Sequence, residues 1–115
     1  MRLKSEFWVQ AYIRRCRANG VAAMLVRRGQ ADAGAIYVQV NRMDGTCDLY
    51  GPAPSGFADA DTDRRWMLCF ADRRPSEAEA SAYLASEASF DPDFWVIEIE
   101  DPEGDPALDD RVVEN

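Results

Sequence analysis

The sequence predicts an α+β fold: a single domain in which a largely antiparallel sheet of about five strands carries two helices, in the order α-β-β-β-β-α-β. Three observations carry that prediction. Apolar residues recur at helical spacing before residue 20, as on one face of an amphipathic helix. The stretch 22–54 alternates apolar and polar residues between turn-forming glycines and reads as a three-stranded antiparallel meander. A second, capped helical stretch then leads into a strand built on Trp95, Ile97 and Ile99.

Ser5 is the expected N-cap of the first helix, which runs to about Asn19, with Glu6 in its first turn and Gly20 just past its end. Trp8, Val9, Tyr12, Ile13 and Cys16 form its apolar face; Gln10, Arg14 and Arg17 lie opposite, and Arg15 flanks Trp8. Residues 21–28 are β-compatible, and 29–34 make a polar turn. In the next strand Ile36, Val38 and Val40 face one way and Tyr37, Gln39 and Asn41 the other. Asp44-Gly45 is a hairpin signal that returns 47–50 as a third strand. Pro52 and Pro54, which have no amide to donate, end the ladder.

Residues 55–63 read as a mobile loop rich in glycine and aspartate. Residues 65–70 follow as a fourth strand with Trp66, Leu68 and Phe70 on one face. Ser76 and Glu79 have capping-box spacing and open a second helix that stops before Pro92, with Tyr83, Leu84 and either Ala80 or Ala88 inward. Residues 94–100 form the last strand, Trp95, Ile97 and Ile99 opposed to Val96, Glu98 and Glu100. The expected domain is 1–100, with both helices on one face of the sheet and 101–115 a flexible acidic tail.

A chain of 115 residues holds one cored domain and is too short for two. With no apolar run of bilayer length and no signal-like N-terminus, a cytoplasmic protein is expected. Cys16, Cys47 and Cys69 are widely spaced and odd in number, which argues against a disulfide framework or a cysteine zinc site. Histidine is absent, which removes Cys-His and Ser-His-Asp catalysis and imidazole proton shuttling. The net charge of −8 is unevenly spread: residues 1–42 hold eight basic and two acidic residues (+6), and 43–115 hold five and nineteen (−14). A basic first third can face an anion or the acidic remainder of its own chain.

The strings SEFWVQAYIRRC, ADAGAIYVQVNRMDGTCDLYGPAP and FDPDFWVIEIED, in that order and spacing, resemble a small, mainly alphaproteobacterial family, domain of unknown function 1491. The resemblance implies a compact stand-alone domain of unassigned activity. It brings no cofactor and no catalytic residue.

Two sets of residues are candidates for function. Tyr37, Gln39 and Asn41, with Asp48 and Tyr50 on the adjacent strand and Arg42 at the border, would make a polar partner surface. Arg14, Arg17, Arg27 and Arg28 are candidate anion contacts, since guanidinium forks suit phosphates and carboxylates. Asp44, Asp91 and Asp93 are explained by turns and match no metal loop, and no phosphate-loop pattern occurs. No catalytic group, metal or cofactor is expected. The favoured reading is a non-catalytic binding or accessory module acting through protein–protein contact, with self-association through an exposed strand as one form of it. Alternatives are a small-molecule enzyme using carboxylate, tyrosine or arginine groups, and nucleic-acid contact through the basic first helix. The acidic composition argues against nucleic acid, and no membrane contact is expected.

Overall fold

The computed structural model of the chain describes residues 3–54, 64–109 and 111–114. The loop expected over 55–63 lies outside the described residues. The elements appear in the expected order: α1 (Ser5–Ala18), β1 (Ala23–Arg27), β2 (Ile36–Asn41), β3 (Cys47–Pro52), β4 (Trp66–Leu68), α2 (Glu77–Ala88) and β5 (Trp95–Glu100). The strands make one five-stranded sheet, ordered β1-β5-β2-β3-β4.

That order corrects the meander. β2 and β3 form the expected hairpin, but β1 does not pair with β2. The last strand of the chain inserts between them, antiparallel to β1 and parallel to β2, so the sheet is mixed. Burial explains the arrangement. In β5 Trp95, Ile97 and Ile99 on one side and Val96 on the other are all buried, and β2 is buried over Ile36, Tyr37, Val38, Gln39 and Val40. Strands apolar on both faces belong in the middle of a sheet, and parallel pairing is confined to such covered positions. β1, which leaves Met24, Leu25 and Val26 exposed, is an edge.

Room for the insertion comes from the 29–34 connection. A Cβ on Gly29 would lie 2.5 Å from the Asp93 carbonyl oxygen and 2.6 Å from the Phe94 carbonyl carbon, so only glycine fits that crossing. The connection is fastened to β5 by Gln30 N donating to Asp93 O (2.9 Å) and Trp95 Nε1 donating to Gln30 O (2.8 Å).

The helices lie on opposite faces, not on one. Val9, Tyr12 and Cys16 of α1 pack with Ile36, Val38, Val40, Trp95, Ile97 and Ile99. Ala80 of α2 packs with Tyr37, Cys47, Leu49, Phe94 and Val96, the other side of the same strands. A sheet whose central strands are apolar on both sides needs a cover on each. Ser5 is also reassigned: Lys4 occupies the N-cap, and the Ser5 hydroxyl, fully buried, donates to Gly34 O at 2.6 Å. α2 begins as expected, with Ser76 and Glu79 forming both bonds of a capping box.

The segment after β5 is not loose. It crosses the α1 face, where Tyr12 donates its hydroxyl proton to Pro106 O (2.6 Å) and Leu108 enters the core at 3% exposure. It then runs beside β4, with Trp66 N donating to Arg111 O and Val113 N to Trp66 O. Its acidity predicted a tail. One leucine and the exposed backbone of β4 hold it down instead.

Candidate interaction surface

The C-terminal segment gives the sheet two unlike edges. It covers β4, whereas β1 has no strand beyond it among the described residues. Glu100 N donates to Ala22 O, which sets the alternation: Ala22 and Met24 pair toward β5, and the backbone groups of Ala23 and Leu25 face outward. The Ala23 carbonyl is covered by Arg17, whose Nε and Nη2 both donate to it at 3.1 and 2.8 Å. Beyond it Leu25 presents an open amide and carbonyl, flanked by Met24 and Val26, each 56% exposed. Exposed apolar edge strands are templates for another strand.

A groove of about 430 Å³ opens beside this edge, between α2 and the sheet. α2 has small side chains on that flank, Ser81 and Ala85, one turn apart, so the helix does not fill the space over β5 and β1. Val26, Phe94, Val96 and Leu84 give it an apolar lining, and Gln39, Glu77 and Glu98 a polar end. Gln39 is 7% exposed, and its amide has no hydrogen-bond partner among the described residues. Burial, then the neighbouring Glu77 and Glu100, push the Glu98 carboxyl above the usual carboxylate range. That end of the groove is short of positive charge. At the opposite end Arg27 is held by Pro92 O (2.6 Å) and lies over the Phe94 ring, 4.5 Å from its centroid.

The polar row expected to form one surface is split by the sheet. Val38 stands opposite Tyr50, Val40 opposite Asp48, and Gln39 opposite Leu49. Cross-strand partners share a face, so Asp48 and Tyr50 lie on the α1 side while Tyr37, Gln39 and Asn41 lie on the α2 side. Tyr37, 9% exposed, packs edge-on against Phe94, and its burial pushes the phenol up to about 12. Asn41 donates to Glu77 (3.2 Å). Arg42 pairs with Asp48 at 3.0 Å, a carboxylate also met by Arg74 at 3.3 Å, and the guanidinium of Arg42 fills the space where Gly104 lacks a side chain. Tyr50 is buried in the core. Of the six, only Gln39 faces the groove.

The arginine set is dispersed as well. Arg14 and Arg17 share a shallow hollow with Gln10 and Ile13, but Arg17 is turned to the Ala23 carbonyl, and Arg27 and Arg28 lie elsewhere. Arg28 meets Glu6 at 3.6 Å and lies over the Trp95 ring. The thiols of Cys47 and Cys69 are pushed up to about 11 by burial, which keeps them protonated and poorly nucleophilic. Met24, Val26, Glu77 and Glu98 were not singled out from the sequence. The available signal was the run of apolar residues at 21–26 without the two-sided burial of a central strand.

The described residues contain no helix long and apolar enough to cross a membrane and no group of three or more potential metal ligands. A family model described as a protein of unknown function, DUF1491, matches residues 3–109. The chain is 37% identical to a DUF1491 family protein from Caulobacter crescentus CB15 with a crystal structure, over 99% of this chain and 100% of that one, at a TM-score of 0.80. It is 40% identical to protein Atu0922 from A. tumefaciens, with a solution structure, over 100% and 98% of the two chains, at a TM-score of 0.82. No curated protein matches.

Proposed function

The chain belongs to the DUF1491 family of proteins of unknown function, and we propose that it is a non-catalytic binding module that accepts an extended segment of another protein along β1. The observation that carries this reading is the pairing of an open apolar edge, Met24 to Val26, with an adjoining groove whose polar end is anionic. Main-chain bonds to Leu25 supply affinity, and a side chain entering the groove supplies selectivity. Glu77, Glu98 and the Gln39 amide specify that side chain as lysine or arginine on a partner with alternating apolar residues. The proposed location is the cytoplasm, supported by three cysteines that remain free thiols.

The test is a titration with a synthetic peptide of alternating valine and lysine. Leu25→Pro removes the outward amide donor and leaves the Met24 pairing to β5; it is expected to abolish binding. Glu98→Gln is expected to weaken it about tenfold, as for the loss of one charge-assisted hydrogen bond. Affinity for the unsubstituted chain should rise with pH as Glu98, whose carboxyl titrates above its ordinary 4.5, becomes ionised. Binding that is indifferent to both substitutions overturns the reading, and concentration-dependent dimerisation abolished by Leu25→Pro would assign the edge to a second copy of the chain.

A further inference from the structure

The groove beside β1 carries a charge at each end, and its basic end is set by an irregularity in the strand. In β1 the pairing passes from Leu25 opposite Ile97 to Arg27 opposite Val96, so Val26 is an extra residue and the ladder bulges there. Plain alternation would turn Arg27 to the α1 side with Ala23 and Leu25. The bulge re-aims it. Arg27 shares a face with Val96, lies over the Phe94 ring and reaches the groove under α2. Arg28, next in the chain, lies over Trp95 on the other face and meets Glu6. Arg27 meets no carboxylate among the described residues: its Nη2 donates to Pro92 O at 2.6 Å, and its Nη1 has no partner among them.

The acidic end lies two residues further along β5. Glu98 stands level with Met24 and Gln39, and Val96 level with Arg27, so the two ends are about 7 Å apart along the strand at about 3.3 Å per residue. Glu77 and Gln39 complete the acidic end. Gln39 is 7% exposed, and it lines the groove with an amide that no described residue bonds. Val26, Val96 and Leu84 make the lining between the ends apolar.

We propose, resting on the β1 reading above, that the segment accepted there is the C-terminal end of another protein, added parallel to β1 with its terminal carboxylate on Arg27. A strand parallel to β1 runs from the level of Met24 to the level of Arg27, so its last residue is the one that reaches the guanidinium. A carboxylate is the partner that Arg27 lacks, and a charge-assisted bond to it is stronger than one to a neutral carbonyl. An antiparallel strand ending there would bring an N-terminal ammonium to Arg27, like charge against like. The two-residue offset fixes the motif. The basic side chain directed at Glu98 and Glu77 belongs to the residue two before the end, and the terminal side chain, on the same face, is apolar and packs between Val26, Val96 and Leu84.

The probe is the N-acetylated peptide Val-Thr-Lys-Thr-Val with a free C-terminal acid, compared with its C-terminal amide by titration against the full chain at constant ionic strength. The acid is expected to bind about tenfold more tightly, even though the amide is the more cationic peptide and the chain has a net charge of −8. Arg27→Gln, its fold checked by circular dichroism, should lower the acid to the affinity of the amide and leave the amide unchanged. Arg28→Gln should preserve the difference. Moving the lysine one position toward the N-terminus turns it to the other face and should weaken the acid about tenfold. Equal binding of acid and amide, or a preference that survives Arg27→Gln, overturns the proposal and leaves the β1 reading standing; binding of neither peptide overturns both.

Discussion

The positions whose roles were legible in single residues are those where a local bond decides the conformation. Asp44-Gly45 predicts a hairpin, and the Asp44 carboxylate accepts from both the amide and the hydroxyl of Thr46, which holds its carboxyl below the usual range. Ser76 and Glu79 predict a capping box, and both bonds are present. Glu79 is in addition clamped by Arg73, and its carboxyl is depressed from 4.5 to about 2, with that bond the largest cause. A depressed carboxyl stabilises the fold above its unfolded value and loses that contribution as pH falls through the folded one. Stability should therefore drop between about pH 4.5 and 2 in urea titrations, and Glu79→Gln should flatten that part of the profile. Ser5 shows the limit of such reading. A serine before a helical pattern suggests a cap, but its hydroxyl is taken by Gly34, far away in sequence. Gly29 was legible only as a turn glycine, because the backbone it touches belongs to a distant strand. Gly29→Ala should cost about 1–3 kcal/mol in chemical unfolding, since neither Asp93 nor Phe94 backbone can retreat.

At the scale of elements, every helix and strand was legible, and so was the β2–β3 hairpin, but the neighbours of β1 and β5 were not. Periodicity tells which side of a strand is apolar, not which strand lies next to it. The one clue was composition: Phe94, Trp95, Val96 and Ile97 leave β5 apolar on both sides, which is a central strand's pattern. A central β5 displaces β1 to the edge and calls for a helix on each face. The register of β2 with β3 splits Asp48 and Tyr50 from Tyr37, Gln39 and Asn41, because a residue's parity matters only once its partner strand is known. Glu98 sits on this rebuilt face with its charge disfavoured by burial and by Glu77 and Glu100. A raised carboxyl contributes stability below its unfolded value and loses it as pH rises. Glu98→Gln should therefore stabilise the free protein at neutral pH, by a margin that vanishes on acidification, while weakening peptide binding. Opposite signs in those two assays are what a residue kept for binding produces.

Across the whole molecule, the division into a basic first third and an acidic remainder suggested that the two neutralise each other. The contacts are subtler. Arg42 meets Asp48 across the division, but Lys4 and Arg28 pair with Asp32 and Glu6 within the first third, and Arg15 takes a backbone carbonyl from the C-terminal segment, not a carboxylate. Composition made that segment look disordered because acidity and proline are averages, whereas Leu108 is a single well-placed anchor. Leu108→Ala should lower unfolding stability by about 2–5 kcal/mol, and its effect should extend to β4, whose outer edge the segment covers. The same segment explains why, among the described residues, β1 is the edge of the sheet left open. Amide hydrogen exchange along β1, with and without the valine–lysine peptide, examines that edge directly. An added strand should slow exchange at the Leu25 amide at least about tenfold while Met24, already paired to β5, changes little. Binding of the peptide with Leu25 exchange unaltered would contradict a partner on β1.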